Sequence, residues 1–223
     1  MFADRRDAGR HLAQRLLALA PDRPVVAPDL PVVVALARGG VPVGFEVARA
    51  LAAPLDVLVV RKLGAPGNPE LGVGAIAEGG AAVLDVAAVT RVGMSQTALD
   101  AIMAREGEEL LRRVERYREG RARIDVRGRT VIVVDDGLAT GLSALAAVRA
   151  LRADAAARIV VAVPVGARES VAMVAAESDE VVCHTIPRQL VAVGRWYGDF
   201  APVSDAEVLE LLAGGRGLDA PPG

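Results

Sequence analysis

The sequence predicts an α/β fold built on a doubly wound, mainly parallel sheet. Three observations carry that expectation. Short apolar runs alternate with amphipathic helical stretches along most of the chain. The continuous run Pro31-Val32-Val33-Val34-Ala35-Leu36-Ala37 is the pattern of a strand covered on both faces, as in a parallel sheet, rather than of a half-exposed antiparallel strand. Apolar residues make up 52% of 223 positions, enough for a sizeable core in one large domain.

The elements follow in order. Residues 4–20 place Ala8, Leu12, Leu16 and Leu19 at helical spacing. After the strand 31–37, which ends at Arg38-Gly39-Gly40, a helix runs from about Val41 to Leu51 with Pro42 tolerated in its first turn. Asp56 to Arg61 is a second buried strand and completes a βαβ unit. Gly64 to Gly72 holds three glycines and two prolines in nine residues and reads as a mobile loop. Residues 73–77 and 81–84 form a hairpin around Glu78-Gly79-Gly80, and Ser95 caps a long helix to about Glu119. Then come strand Thr130 to Val134, helix Leu142 to Arg152, strand Arg158 to Val163, helix Arg168 to Glu177 and strand Val181 to His184. The chain therefore divides into an N-terminal helix and lead-in (1–30), a core (31–185) with a flexible loop and hairpin at about 62–90, a C-terminal segment (186–213) and a frayed tail (214–223).

Composition excludes several classes. Lys and Arg total 26 against 28 Asp and Glu, so the charge of −2 gives no net drive toward nucleic acid or anionic membrane. Any polyanion site must be local. No apolar run approaches the roughly 20 residues that cross a bilayer, and Met1 to Asp7 mixes charges at once, unlike a secretory signal. A soluble, cytoplasmic chain is expected. The single Cys183 cannot form an internal disulfide, and two histidines cannot assemble a zinc cluster. Following Val181-Val182, Cys183 reads as a buried strand residue rather than a nucleophile. Of the 26 basic residues only Lys62 is lysine, and Asn68 is the only asparagine. In a chain so committed to arginine, a retained lysine points to a place where a compact ammonium cannot be replaced by guanidinium.

In a doubly wound sheet, ligands sit beyond the carboxyl ends of the strands, and three loops there carry unusual residues: Arg38-Gly39-Gly40, Arg61-Lys62 and Asp135 to Ser143. The third is the most informative. A strand delivers Asp135 and Asp136, and Gly137-Leu138-Ala139-Thr140-Gly141-Leu142-Ser143 then runs directly into a helix. Backbone N–H groups and the helix's positive end suit a phosphate, with hydroxyls of Thr140 and Ser143 as further donors. The carboxylates suit vicinal hydroxyls, so a ribose 5-phosphate fits the arrangement. Gly72 to Ala77 satisfies the dinucleotide pattern G-x-G-x-x-A but does not lead from a strand into a helix, and no P-loop is present.

The stretch Val131 to Ser143 resembles the phosphoribosyl-pyrophosphate signature of the type I phosphoribosyltransferases, and order and spacing agree from about Val32 to Val163. The resemblance implies that fold, with Arg38, Gly39 and Gly40 as the pyrophosphate loop, Arg61 and Lys62 as a basic pair before the loop that covers the site, and 193–200 within a base-binding hood. By the same resemblance, pyrophosphate would leave C1 of the ribose as a nitrogen nucleophile attacks, through an oxocarbenium-like transition state. Asp135 and Asp136 would bind the 2- and 3-hydroxyls and favour the cationic sugar. Gly137, Leu138, Ala139, Thr140, Gly141 and Ser143 would hold the 5-phosphate. Mg²⁺, held mainly by ligand oxygens and water and indirectly by Asp135 and Asp136, would assist. Trp196 or Tyr197 would stack on the base, and a homodimer is the family habit. Hypoxanthine and guanine enzymes carry an aspartate where Ala139 stands here, so this chain resembles the adenine and orotate branches, and its base is not specified. The rival is a non-catalytic sensor of phosphoribosyl pyrophosphate, disfavoured because no helix-turn-helix or basic arm precedes Pro31.

Overall fold

The computed structural model describes residues 1–19 and 31–216; the remainder of the lead-in and tail read from the sequence lie outside the described residues. The helices are α1 (Arg5–Leu19), α2 (Gly40–Leu51), α3 (Val86–Arg91), α4 (Gln96–Arg118), α5 (Leu142–Ala153), α6 (Arg168–Ala175) and α7 (Asp205–Arg216). The strands are β1 (Val32–Ala37), β2 (Leu55–Ala65), β3 (Asn68–Ala77), β4 (Ala82–Leu84), β5 (Thr130–Val134), β6 (Arg158–Val165) and β7 (Glu180–Thr185).

All seven strands join one sheet in the order β4-β3-β2-β1-β5-β6-β7. Neighbours from β2 through β7 along that order are parallel, and the β3 and β4 edge is antiparallel. The chain leaves β1 toward β2 on one side and returns to β5 on the other, so the sheet changes direction between β1 and β5. Ala35 is opposite Val134 there. Loops leaving the carboxyl ends of these two strands diverge, which opens a crevice at that point. One face packs Leu12, Leu16, Val47 and Leu212 against Val33 and Leu55, and the other packs Leu145 and Leu151 against Val34, Leu58 and Val133. Two covered faces explain why β1 and β5 show no apolar–polar alternation.

The expected loop at Gly64 to Gly72 is instead a hairpin. β2 continues to Ala65 and β3 begins at Asn68, with Ala65 opposite Asn68. Pro66 and Gly67 make the turn, Gly67 at φ +73°, a conformation that costs a glycine little. Register shifts at Leu63/Gly64 and Gly64/Ala65 absorb the remaining irregularity as bulges. Asn68 thus takes a turn-flanking position. The 73–77 and 81–84 pairing is present, with Ala75 opposite Val83. Gly72 to Ala77 lies within β3, in keeping with rejection of the dinucleotide pattern.

Ser95 caps α4 as read, its Oγ accepting from the Ala98 N–H at 3.2 Å. The far end of α4 is tied down by Arg118, which donates to Glu78 at 3.0 and 3.1 Å, to Asp56 at 3.3 Å and to the Val57 carbonyl at 3.0 Å. Burial alone would weaken the Arg118 charge, but these carboxylates more than offset it. Two helices are absent from the sequence reading: α3, capped by Asp85, and α7. The expected C-terminal segment accordingly resolves into two parts. Residues 193–200 pack with the N-terminal arm, whereas α7 returns to the core through Val208, Leu211 and Leu212. Cys183 sits in β7, where burial pushes its thiol up to about 11, the value of an inert structural cysteine. Among the described residues no helix is long and apolar enough to cross a membrane.

Candidate active site

The crevice between β1 and β5 collects the third loop and the first. At the end of β5 the Asp136 N–H donates to Asp135 Oδ1 at 2.8 Å, which folds the two adjacent carboxylates into a tight corner. Arg38 to Gly40 presses against this corner. A Cβ on Gly39 would collide with Asp136 Oδ2, and one on Gly40 would lie 2.5 Å from the Val134 carbonyl oxygen. No larger residue fits without moving the Asp136 carboxylate at the first position or the end of β5 at the second. The peptide bond between Ala37 and Arg38 is cis.

Beyond the corner, Leu138 and Leu142 turn inward while Ala139 and Thr140 face solvent. The loop is laced to the end of β6: the Leu138 N–H donates to the Val165 carbonyl and the Ala167 N–H to the Leu138 carbonyl, both at 2.9 Å. Ser170 Oγ donates to the Ala139 carbonyl at 2.6 Å. Helix α5 starts at Gly141 with no side chain capping it and no acidic residue in its first turn. Its first N–H groups are therefore left without a side-chain partner at the end of the loop that leaves β5, an arrangement that favours an anion.

Electrostatics separate the two carboxylates. Burial first, and the Asp136 charge second, hold Asp135 above the usual carboxylate range, opposed by the positive charges of Lys62 and Arg5. Asp136 Oδ2 accepts from Arg5 Nε at 2.9 Å, and its carbonyl oxygen accepts from the Tyr197 hydroxyl at 2.6 Å.

The structure does not bring Arg61 and Lys62 together. Both belong to β2, where successive side chains leave on opposite faces. Lys62 is exposed on the α5 side, and its charge reaches Asp135. Arg61 turns to α4, where its Nε donates to Glu106 Oε2 at 2.9 Å. Although burial opposes it, the hydrogen bonds from Arg61 and Arg105 hold Glu106 below its ordinary value. Arg61 thus anchors a helix, a departure from the expected basic pair. Arg38 lies at the crevice rim with its guanidinium 3.5 Å from Asp205.

Tyr197 also departs from expectation. Its ring is buried between Phe2 and Phe200, at 5.6 and 4.9 Å, so it offers no open face to a base. Burial raises its phenol pKa, so the hydroxyl remains a donor. Trp196 is half-buried against the same cluster. The first residues of the chain complete this hood: the Phe2 N–H donates to the Trp196 carbonyl, and the Gly198 N–H to the Phe2 carbonyl, both at 2.8 Å. Arg5 is the site residue the sequence did not reveal. No local pattern marks it, because its partner is 131 positions away.

Residues 4–195 match the sequence model of the phosphoribosyl transferase domain, most of the chain. The chain belongs to this phosphoribosyl transferase family. It is 50% identical over 212 residues to the Mycobacterium tuberculosis protein "Putative phosphoribosyl transferase Rv0571c" of strain H37Rv, and equally to its counterpart in strain CDC 1551. That match covers 95% of this chain and 46% of each relative, so the chain spans about half the length of the curated relatives it matches. The crystal structure of TT1426 from Thermus thermophilus superposes with a TM-score of 0.76 at 44% identity, covering 97% of this chain and 99% of that one. The matched region, residues 4–195, includes Arg5, Arg38 to Gly40, Lys62 and the loop Asp135 to Ser143.

Proposed function

We propose that the chain transfers ribose 5-phosphate from phosphoribosyl pyrophosphate to a nitrogen nucleophile and releases pyrophosphate. One observation carries this reading above the family assignment: two carboxylates, a glycine loop fitted against them and an uncapped helix start converge on one crevice. The 5-phosphate lies at Gly137 to Ser143, on the N–H groups that open α5. The ribose hydroxyls donate to Asp135 and Asp136, whose negative charge favours the positive C1 that develops as the C1–O bond to pyrophosphate breaks and the C1–N bond forms. The N–H groups of Arg38 to Gly40 and the Lys62 ammonium take up charge on the departing pyrophosphate. Ala139 supplies no carboxylate, so the proton lost by the nucleophile goes to solvent or to the departing group.

Magnesium fits the donor set in a limited sense. The oxygens at the corner are hard carboxylates, but no group of three or more His, Cys, Asp or Glu among the described residues forms a protein cage. Asp135 and Asp136 would hold Mg²⁺ indirectly, and when bound it would neutralise the pyrophosphate oxygens.

The test is a panel of nitrogenous bases incubated with phosphoribosyl pyrophosphate and Mg²⁺, read as pyrophosphate release. Release with at least one base is the expected result. Binding of phosphoribosyl pyrophosphate without release from any base would favour a sensor, and no binding at all would overturn the reading.

A further inference from the structure

Arg5 is held along the length of its side chain. Nε donates to Asp136 Oδ2 at 2.9 Å, and a terminal nitrogen donates to the Ala201 carbonyl at 2.8 Å. Cζ lies 3.8 Å above the Phe200 ring, close enough for a cation–π contact. The side chain is only 11% exposed. Its partner is held from other directions as well. Asp136 is gripped at its carbonyl by Tyr197 and confined at Oδ2 by Gly39. Oδ2 is therefore used by the protein, and among the described residues no hydrogen bond reaches Oδ1.

We propose that Arg5 is a positioning residue: stacked on Phe200, it fixes Asp136 Oδ2 so that Oδ1 faces the crevice as the acceptor for a ribose hydroxyl. The proposal rests on the ribose 5-phosphate reading above and adds to it a role for the N-terminal arm. The arm and the hood meet at Phe2 and Tyr197, and through Arg5 they set the rotamer of the residue that reads the sugar. A carboxylate free to rotate would lose the oriented hydrogen bond to the diol while leaving the phosphate loop intact, because the 5-phosphate is held by backbone N–H groups and not by the Asp136 side chain.

The experiment compares two ligands in the full chain by calorimetry: ribose 5-phosphate and 2,3-dideoxyribose 5-phosphate, which keeps the phosphate and lacks the diol. In the wild-type protein the diol ligand should bind tighter by on the order of a hundredfold, the worth of two hydrogen bonds to carboxylates, one at Asp135 and one at Asp136. In Arg5→Gln that preference should fall by about tenfold, to what the Asp135 hydrogen bond alone supplies, while the affinity for the dideoxy ligand stays the same. Arg5→Lys, which keeps the charge but loses the planar stack, and Phe200→Leu, which removes only the platform, should each fall between. These two variants keep the proposal testable if Arg5→Gln does not fold. A merely structural loss would weaken both ligands alike. Wild-type binding of both ligands with the preference unchanged in the variants would overturn the role of Arg5 alone. Tighter diol binding by Arg5→Gln would overturn it also, since Arg5 would then be a blocking latch. Failure of the wild-type chain to bind either ligand would overturn the ribose 5-phosphate reading and the Arg5 role with it.

Discussion

Asp135 and Asp136 are adjacent, yet their replacement should move stability in opposite directions. Asp135 binds its proton more tightly in the folded chain than in the unfolded one. Between the ordinary carboxylate value of about 4 and its raised native value, the folded state therefore carries more protons, and stability falls as pH rises. Asp135→Asn removes that loss, so its melting temperature should exceed wild type at pH 8 and converge with it toward pH 4. Asp136→Asn instead deprives Arg5 of its carboxylate and should lower stability by about 1–3 kcal/mol. Asp136→Asn should cut pyrophosphate release by about two powers of ten or more, because it removes charge facing C1, and Asp135→Asn should do the same above the pH at which Asp135 ionises. Wild-type turnover in both would refute the assignment. Lys62 belongs to the same reading. Lys62→Ala should slow pyrophosphate release far more than it weakens ribose 5-phosphate binding, and Lys62→Arg should also be impaired, since a planar fork does not replace a compact ammonium. Turnover by the arginine variant at the wild-type rate would make Lys62 an incidental surface charge. The Asp135 to Ser143 loop is readable because it is continuous in sequence. Arg5 is not, because its chemistry depends on a contact across 131 positions.

Among the elements, β5 is readable at both ends and α5 at its start, since an apolar run followed by a glycine loop leaves few alternatives. The sequence ends β2 too early because Gly64 argues against a strand, and bulges that tolerate it depend on the partner strand. That shortening conceals the fact that Arg61 and Lys62 must face opposite ways. Helix α7 also carries a local signal, since Ser204-Asp205-Ala206-Glu207 has capping-box spacing and the Glu207 N–H donates to Ser204 Oγ at 3.1 Å. The helix most exposed to a test is α4. Arg118 ties its end to Asp56, which is 1% exposed and also accepts from the Ile124 N–H. Arg118→Met should cost about 3–5 kcal/mol, because it removes one partner from a buried network of Arg118, Asp56 and Glu78. The urea midpoint measures it. A loss below about 1 kcal/mol would mean that Arg118 contributes little to holding Asp56 and the end of α4.

For the whole molecule, phosphoribosyl pyrophosphate with Mg²⁺ should raise the melting temperature, because a ligand bound only by the native state stabilises it by about 2.7 kcal/mol at a hundred times its dissociation constant. No shift at millimolar ligand would mean that the crevice is not a phosphate site. The fold class is readable from alternation alone, whereas the hood, built from the first residues and from 193–200, is only half visible. Its construction has a consequence for synthesis. Arg5 meets Asp136 across 131 positions and Ala201 across 196, so the last anchor leaves the ribosome about 65 residues after the carboxylate it steadies. At about 5–20 residues per second, that is an interval of roughly 3 to 13 seconds. During it, Arg5 and the acidic corner can already meet, but the aromatic platform and the Tyr197 clasp do not yet exist. Until translation passes Ala201, the corner at Asp136 lacks the aromatic and carbonyl contacts that hold Arg5 in the folded chain.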